Sequence, residues 1–199
     1  EFVEGDVFTV AGMLKQQGRT SSGLGPRVSV LNMACSSHPG GGMESGKHSQ
    51  EEELFRRSNI FKSVKEYTHR TNTYPLKEDK YFERRGVVGM YHPNVTIFRA
   101  SAEYGYEFLS KPFEVDVISC AAQNRPVLED VVDIGDGTST FYKDHPDAPK
   151  HKYSGNEERM RQTLELAVRM AESCSDIFVV SAFGCGAVFH PARRVAKML

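Results

Sequence analysis

Two short, strongly apolar runs each empty into a glycine-rich loop, and this constrains the fold more than any other feature of the 199-residue chain. Val28-Ser29-Val30-Leu31-Asn32-Met33-Ala34 reads as a buried strand, being short, nearly continuously apolar and rich in β-branched residues. It runs into Cys35-Ser36-Ser37-His38-Pro39-Gly40-Gly41-Gly42, where three glycines free the backbone from Cβ clashes. Residues 177–182 read as a second buried strand, which empties into Phe183-Gly184-Cys185-Gly186. Strands are also expected at residues 87–91, 94–98 and 113–120.

Helices fill the intervals. Residues 9–17 predict a short helix with Val10, Met13 and Leu14 as its apolar side, stopped by Gly18 and followed by a Ser- and Gly-rich loop to Pro26. A longer helix is expected from Ser49, carrying Leu54, Phe61, Val64 and Tyr67 at helical intervals, with polar loop and some exposed helix over 68–86. Asn156 is placed to cap a helix with apolar positions Met160, Leu164, Ala167 and Ala171, and a last helix is expected over 192–199. Strands alternating with helices imply an α/β fold around a mixed, largely parallel sheet. In such folds ligands sit beyond the carboxyl ends of the strands, where both glycine loops fall.

Composition narrows the function classes. With 39% apolar residues, 12 Phe and 8 Tyr, the chain can bury a core and is not a disordered segment. A net charge of −1 gives no basic field for non-specific nucleic-acid binding, and no sequence-specific nucleic-acid partner is expected. No apolar run approaches the ~18 residues of a spanning helix, and none resembles a signal peptide. Four cysteines without a Cys-x-x-Cys pair argue against a disulfide framework and for a reducing, intracellular location, cytoplasmic or nuclear. Seven histidines never fall at metal-binding spacings, so no metal is expected. The size suits one domain over 1–199, with a possible insert at 127–153 inside the loop-like stretch 124–153. The opening Glu1-Phe2-Val3 lacks an initiating Met, which reads as a fragment.

Three pieces carry chemistry. Gly40-Gly41-Gly42 is either a flexible turn or a loop whose amides approach a ligand too closely for side chains. Gly184-Cys185-Gly186, before the last helix, is either a tight turn with Cys185 as a small hydrophobe or an anion cradle of backbone amides. No Gly-x-x-x-x-Gly-Lys-Ser/Thr string exists, so a P-loop nucleotidase is not expected. Gln50-Glu51-Glu52 follows Ser49, and Ser49-x-x-Glu52 fits a capping box. Beside an apolar wall, Glu52 would instead gain a raised pKa and serve as a general acid and base, with Glu51 favouring one shared proton by like-charge repulsion. The two readings coexist, since a helix start is a rigid mount for a catalytic group.

The triplet Gly40-Gly41-Gly42, seven residues, then Gln50-Glu51-Glu52 resembles the signature of the poly(ADP-ribose) glycohydrolases, whose catalytic domain is a macrodomain. Val30 to Ala34, Pro39, Glu53-Leu54-Phe55-Arg56-Arg57-Ser58, Tyr91 to Arg99 and Ser181 to Phe189 are similar to the microbial-type branch, over roughly residues 6–199. The resemblance implies a three-layer α/β/α macrodomain fold that holds ADP-ribose across the carboxyl edge of the sheet. Gly40, Gly41 and Gly42 would cradle the distal ribose side. Phe183, Gly184, Cys185, Gly186, Ala187 and Val188 would supply amides to the phosphates, with Phe189 on the ribose. Glu52 would be the acid/base that cleaves the ribose–ribose glycosidic bond, Glu51 would position a ribose hydroxyl, Asn32 would support the same ribose, and Gln50 would belong to the binding set. Neither metal nor cofactor is called for; the partners implied are ADP-ribose or its polymer on modified proteins. The family normally has a small polar residue where Cys35 stands, and continues into a final strand beyond the last helix.

Two other functions remain open at this point. The same site could serve mono-ADP-ribosyl conjugates, or read ADP-ribose without cleaving it; a pure reader has no use for Glu52. Thiol catalysis by Cys185 with His190 is a third reading, although Gly-Cys-Gly fits backbone recognition better.

Overall fold

The computed structural model describes residues 3–18, 25–71, 74, 87–122, 128–129, 152–153, 157–186, 188, 190 and 192–199. A four-stranded mixed sheet is flanked by helices on both faces. The strands are β1 (Val28–Met33), β2 (Gly89–Arg99), β3 (Phe108–Cys120) and β6 (Ile177–Val179), in spatial order β2-β3-β1-β6. β3, β1 and β6 run parallel, and β2 is antiparallel to β3. The pair β4 (Leu128–Glu129) and β5 (Lys152–Tyr153) forms a separate antiparallel ribbon inside the stretch expected to be loop.

Helices α1 (Val7–Gln17), α2 (Gln50–Arg57) and α3 (Ile60–Thr71) cover one face; α4 (Glu157–Cys174) and the short α5 (Ala192–Val195) cover the other. Side chains alternate across the sheet, so the two cores separate by residue parity. Val28, Val30, Val115 and Val117 pack with Phe8, Ala11, Leu54, Ile60 and Val64. Leu31, Ile118 and Cys120 pack with Met160, Leu164, Ala167, Phe183 and Val195. The expected α/β/α layering and the apolar stripe of α4 are therefore present.

Several boundaries differ from expectation. α1 starts at Val7 because the Asp6 carboxylate accepts from the amides of Phe8 and Thr9, at 3.0 and 3.1 Å. Its buried side is Val7, Phe8, Val10 and Ala11, while Met13 is exposed. The helix expected from Ser49 is two helices. Ser58 bridges to Ile97 of β2, and Asn59 pairs with Thr96 through both backbone and side chain, which interrupts the helical ladder. Phe61 is consequently exposed, Leu54 and Val64 are buried, and the Tyr67 side chain lies outside the described set.

The strands expected at 87–91 and 94–98 are one strand with a bulge between His92 and Val95. Pro93 lacks an N–H, but β2 is an edge strand, so no ladder bond is lost. Asn94 takes φ 53° there and donates its amide to Asp116 Oδ1 at 2.9 Å. β1 and β6 stop short of the expected ends, at Met33 and Val179, and α5 ends at Val195. Asn156 lies outside the described residues, and α4 begins at Glu157.

Candidate active site

At the carboxyl end of β1 the chain turns through residues 34–49 and returns as α2, whose first turn carries Gln50, Glu51 and Glu52. All three side chains are engaged with the segment they face. Glu51 is 3% exposed and bonds both ends of the loop: Oε2 accepts from the Cys35 amide at 2.7 Å and Oε1 from the Gly40 amide at 3.2 Å. Glu52 is 4% exposed; Oε1 accepts from the Gly42 amide at 2.8 Å, while Oε2 accepts from the Ser49 amide at 3.1 Å and from the Ser49 hydroxyl. The capping box therefore forms, and the same carboxylate also holds the glycine loop.

Gly41 passes between the two acids. A Cβ on it would lie 2.5 Å from Glu52 Oε1 and 3.1 Å from Glu51 Oε2, and its φ is +53°. Gly40, at φ +75°, lies as close to Phe55, whose ring would be 2.8 Å from a Cβ. At these two positions both the left-handed backbone and the space available demand glycine.

The electrostatics divide the pair unlike the sequence expectation. Burial raises the Glu51 pKa against the amides of Cys35 and Gly40 and the Asn32 side chain, and the neighbouring Glu52 charge adds to the rise, leaving it at about 7. Burial also acts upward on Glu52, but the Ser49 hydroxyl and the Gly42 amide outweigh it and hold Glu52 below the ordinary carboxylate value. The raised pKa expected of Glu52 therefore belongs to Glu51. Tyr74 stands close by: burial first, then the charges of Glu51 and Cys35, push its phenol well above the ordinary value.

Asn32, next to last in β1, lies on the face covered by α2. It is 1% exposed; Nδ2 donates to Ser119 Oγ at 2.9 Å, and Oδ1 has no partner among the described residues. Gln50 is committed to β1 itself, accepting at Oε1 from the Met33 amide at 2.9 Å and donating from Nε2 to the Leu31 carbonyl at 2.6 Å. The Ala34 amide bonds to Cys120 on the β3 side, so residues 31 and 33, of opposite parity, face β6. β6 pairs β1 only over Val28–Val30. Gln50 occupies the pairing positions beyond.

A cleft of about 770 Å³ opens where β1 and β6 part, with Met33, Gln50, Glu53, Arg57, Ser181 and Gly186 among its walls. Glu51 and Glu52 are not among them; they turn toward the glycine loop alongside. Arg57 is 4% exposed, ion-pairs with Asp6, donates to the Arg99 carbonyl at 3.3 Å and lies 5.4 Å over the Phe8 ring, tying α2 to α1 and to the β2–β3 hairpin.

The second glycine loop is partly closed on itself. The Phe183 amide bonds to the Ser181 carbonyl and the Cys185 amide to Ala182, so these two amides shape the turn instead of standing open as an anion cradle would require. Phe183 is buried in the core beneath, Gly184 takes φ +74°, and the His190 amide bonds back to Gly184. Gly186 is exposed, Val188 is half-buried, and Ala187 and Phe189 lie outside the described residues. The Cys185 thiol donates to the Phe183 carbonyl, at 3.4 Å.

The structure thus brings Asn32, Gly40, Gly41, Gly42, Glu51 and Glu52 together, sets Gln50 beside them as a backbone partner, and places the second loop across the cleft. Sequence reading missed Ser119, Tyr74, Asp6 and Arg57. Ser119 had a signal, a polar residue continuing the alternation of Val115 and Val117; the others act through contacts distant in sequence. Among the described residues no group of three or more His, Cys, Asp or Glu could hold a metal ion.

Comparison with known proteins gives concordant results. The sequence profile described as microbial-type PARG, catalytic domain, matches residues 1–100. The crystal structure of poly(ADP-ribose) glycohydrolase from Thermomonospora curvata bound to the inhibitor ADP-HPD superposes with a TM-score of 0.68 at 23% identity, covering 98% of this chain and 63% of that one. A second structure of that protein gives TM-score 0.68 over 61% of its length. The glycohydrolase from Deinococcus radiodurans in complex with ADP-ribose gives 0.63 at 22% identity, covering all of this chain and 67% of that one. The chain therefore spans less than two thirds of the Thermomonospora structures. Among curated proteins no match is found.

Proposed function

The chain belongs to the microbial-type poly(ADP-ribose) glycohydrolase catalytic-domain family, and on that footing we propose that it hydrolyses the ribose–ribose O-glycosidic bonds of poly(ADP-ribose), releasing ADP-ribose. The observation that carries this reading is the glutamate pair closed over Gly41 at the carboxyl end of β1. A reader of ADP-ribose needs the glycine loop; it does not need two buried acids beside it.

In this proposal residues 1–199 act as one catalytic domain. The distal ribose lies on Gly40, Gly41 and Gly42, with Asn32 at its hydroxyls, and the diphosphate spans toward the loop of residues 183–189. Cleavage develops positive charge on that ribose, which an ionised carboxylate and the adjacent phosphates stabilise. Glu52 is the acid and base. The diphosphate of the bound ligand adds negative charge beside it, which raises its pKa and leaves Glu52 holding a proton. Glu52 then protonates the departing oxygen and next takes a proton from the attacking water. Exchanged roles, with Glu51 as the acid, are favoured by the burial that raises its pKa to about 7. The partners in the cell would be ADP-ribosylated proteins, in a reducing compartment suited to the four free cysteines. No helix among the described residues is long and apolar enough to cross a membrane.

Glu52→Gln tests the assignment. ADP-ribose binding, read by calorimetry, is expected to survive, while release of ADP-ribose from polymer falls at least ~10²-fold, the scale of losing a general acid/base. Unchanged turnover in this variant, with turnover lost in Glu51→Gln, gives the acid role to Glu51. Turnover unchanged in both removes the glutamate mechanism.

A further inference from the structure

On the face covered by α1, α2 and α3, β1 and β3 carry matched apolar columns, Val28 and Val30 beside Val115 and Val117. One step further along, the columns continue with Asn32 and Ser119, which are register partners and are 1% and 0% exposed. Parity keeps them on the same face. A polar pair at a core position costs stability unless its groups are satisfied. Here one group is left over: Nδ2 of Asn32 donates to Ser119 Oγ at 2.9 Å, and Oδ1 has no partner among the described residues.

The donation to Ser119 Oγ sets which way the amide faces, with its N–H group toward β3 and Oδ1 left as the unused acceptor. The same orientation suits an ionised Glu51, which the Asn32 side chain favours. We propose that Ser119 is a positioning residue of the site: by accepting the Asn32 Nδ2 hydrogen, it holds Oδ1 ready as the acceptor for a sugar hydroxyl of the ligand. The inference rests on the ADP-ribose reading of the site, and it adds a requirement that the ligand present a hydroxyl donor there.

A double-mutant cycle on the full chain decides it, with ADP-ribose as the calorimetric probe and thermal unfolding as the fold control. Ser119→Ala is expected to weaken binding about 10-fold, the scale of one hydrogen bond. In the Asn32→Ala background the same change should have no further effect on binding. The nearly isosteric Ser119→Cys, a weak acceptor, should weaken binding in the same direction, and it carries the test if the alanine variant does not fold. An undiminished affinity in Ser119→Cys and Ser119→Ala, or losses that add in the double variant, overturns the proposal. Absence of polymer cleavage by the parent chain with ADP-ribose binding intact refutes the hydrolase reading alone, and the cycle still decides Ser119. Absence of binding overturns both.

Discussion

Replacing Gly41 by alanine puts the arrangement of the two acids to a quantitative test. The new methyl carbon would stand 2.5 Å from Glu52 Oε1 and 3.1 Å from Glu51 Oε2, on a backbone with φ +53°. The left-handed conformation alone costs an alanine about 1–2 kcal/mol. The carboxylate of Glu52 must then swing away from the Gly42 amide and from Ser49, bonds to a charged acceptor worth about 1.5–3 kcal/mol. Water recovers part of that at the site's edge, so a net loss of about 2–4 kcal/mol is expected. For a chain of this size it lowers the Tm by roughly 5–12 °C. Gly46→Ala is the control. Gly46 has φ +80° and nothing within 4 Å of a Cβ, so it carries the backbone term and no clash. Differential scanning calorimetry should show the control falling by only about 2–6 °C. In an ADP-ribose release assay the control should keep its turnover, while Gly41→Ala loses about 10²-fold through misplacement of the acid. Equal Tm shifts and equal turnover in the two variants would refute the placement of the carboxylates around Gly41.

Two buried groups give opposing pH dependences. Glu51, with a folded pKa of about 7 against an ordinary 4.5, keeps a proton that the unfolded chain releases, so its contribution is full below pH 4.5 and is lost as pH rises to 7. Glu51→Gln should abolish that decline in urea-unfolding free energies measured across this window. His92, 0% exposed and pushed down to about 4 by burial, works the other way; stability is lost as pH falls from 6.5 toward 4, and His92→Leu should flatten that acid limb. Gln50→Ala leaves the Met33 amide and the Leu31 carbonyl without their partner and should cost about 1–3 kcal/mol in the same assay.

Elements that a local rule controls were legible in the sequence. The near-continuous apolar run of β1 announced a strand buried on both faces, and the spacing of Met160, Leu164, Ala167 and Ala171 announced the buried stripe of α4. The break at Ser58-Asn59 was not, because it arises from pairing with Ile97 and Thr96, some 40 residues away. The bulge after His92 was misread for the opposite reason: Pro93 is a strong local signal, and the edge position that makes it tolerable is a property of the sheet. In the site, the glycine triplet and the paired glutamates were legible through their resemblance to a family signature, since each alone also fits a turn or a capping box. Which glutamate carries the raised pKa was not. That depends on the balance between burial and accepted hydrogen bonds: burial prevails at Glu51, while the Ser49 hydroxyl and the Gly42 amide outweigh it at Glu52.

The commitment of Gln50 to β1 also bears on why a crevice exists at this place. Parallel strands side by side tend to zip along their whole length, and β6 could otherwise continue past Val30 to close the gap. A single carboxamide supplies the two bonds that such an extension would have made, so the sheet is wedged open and its split edge is satisfied at once. The void between the strands is thereby insulated from collapse before any ligand arrives.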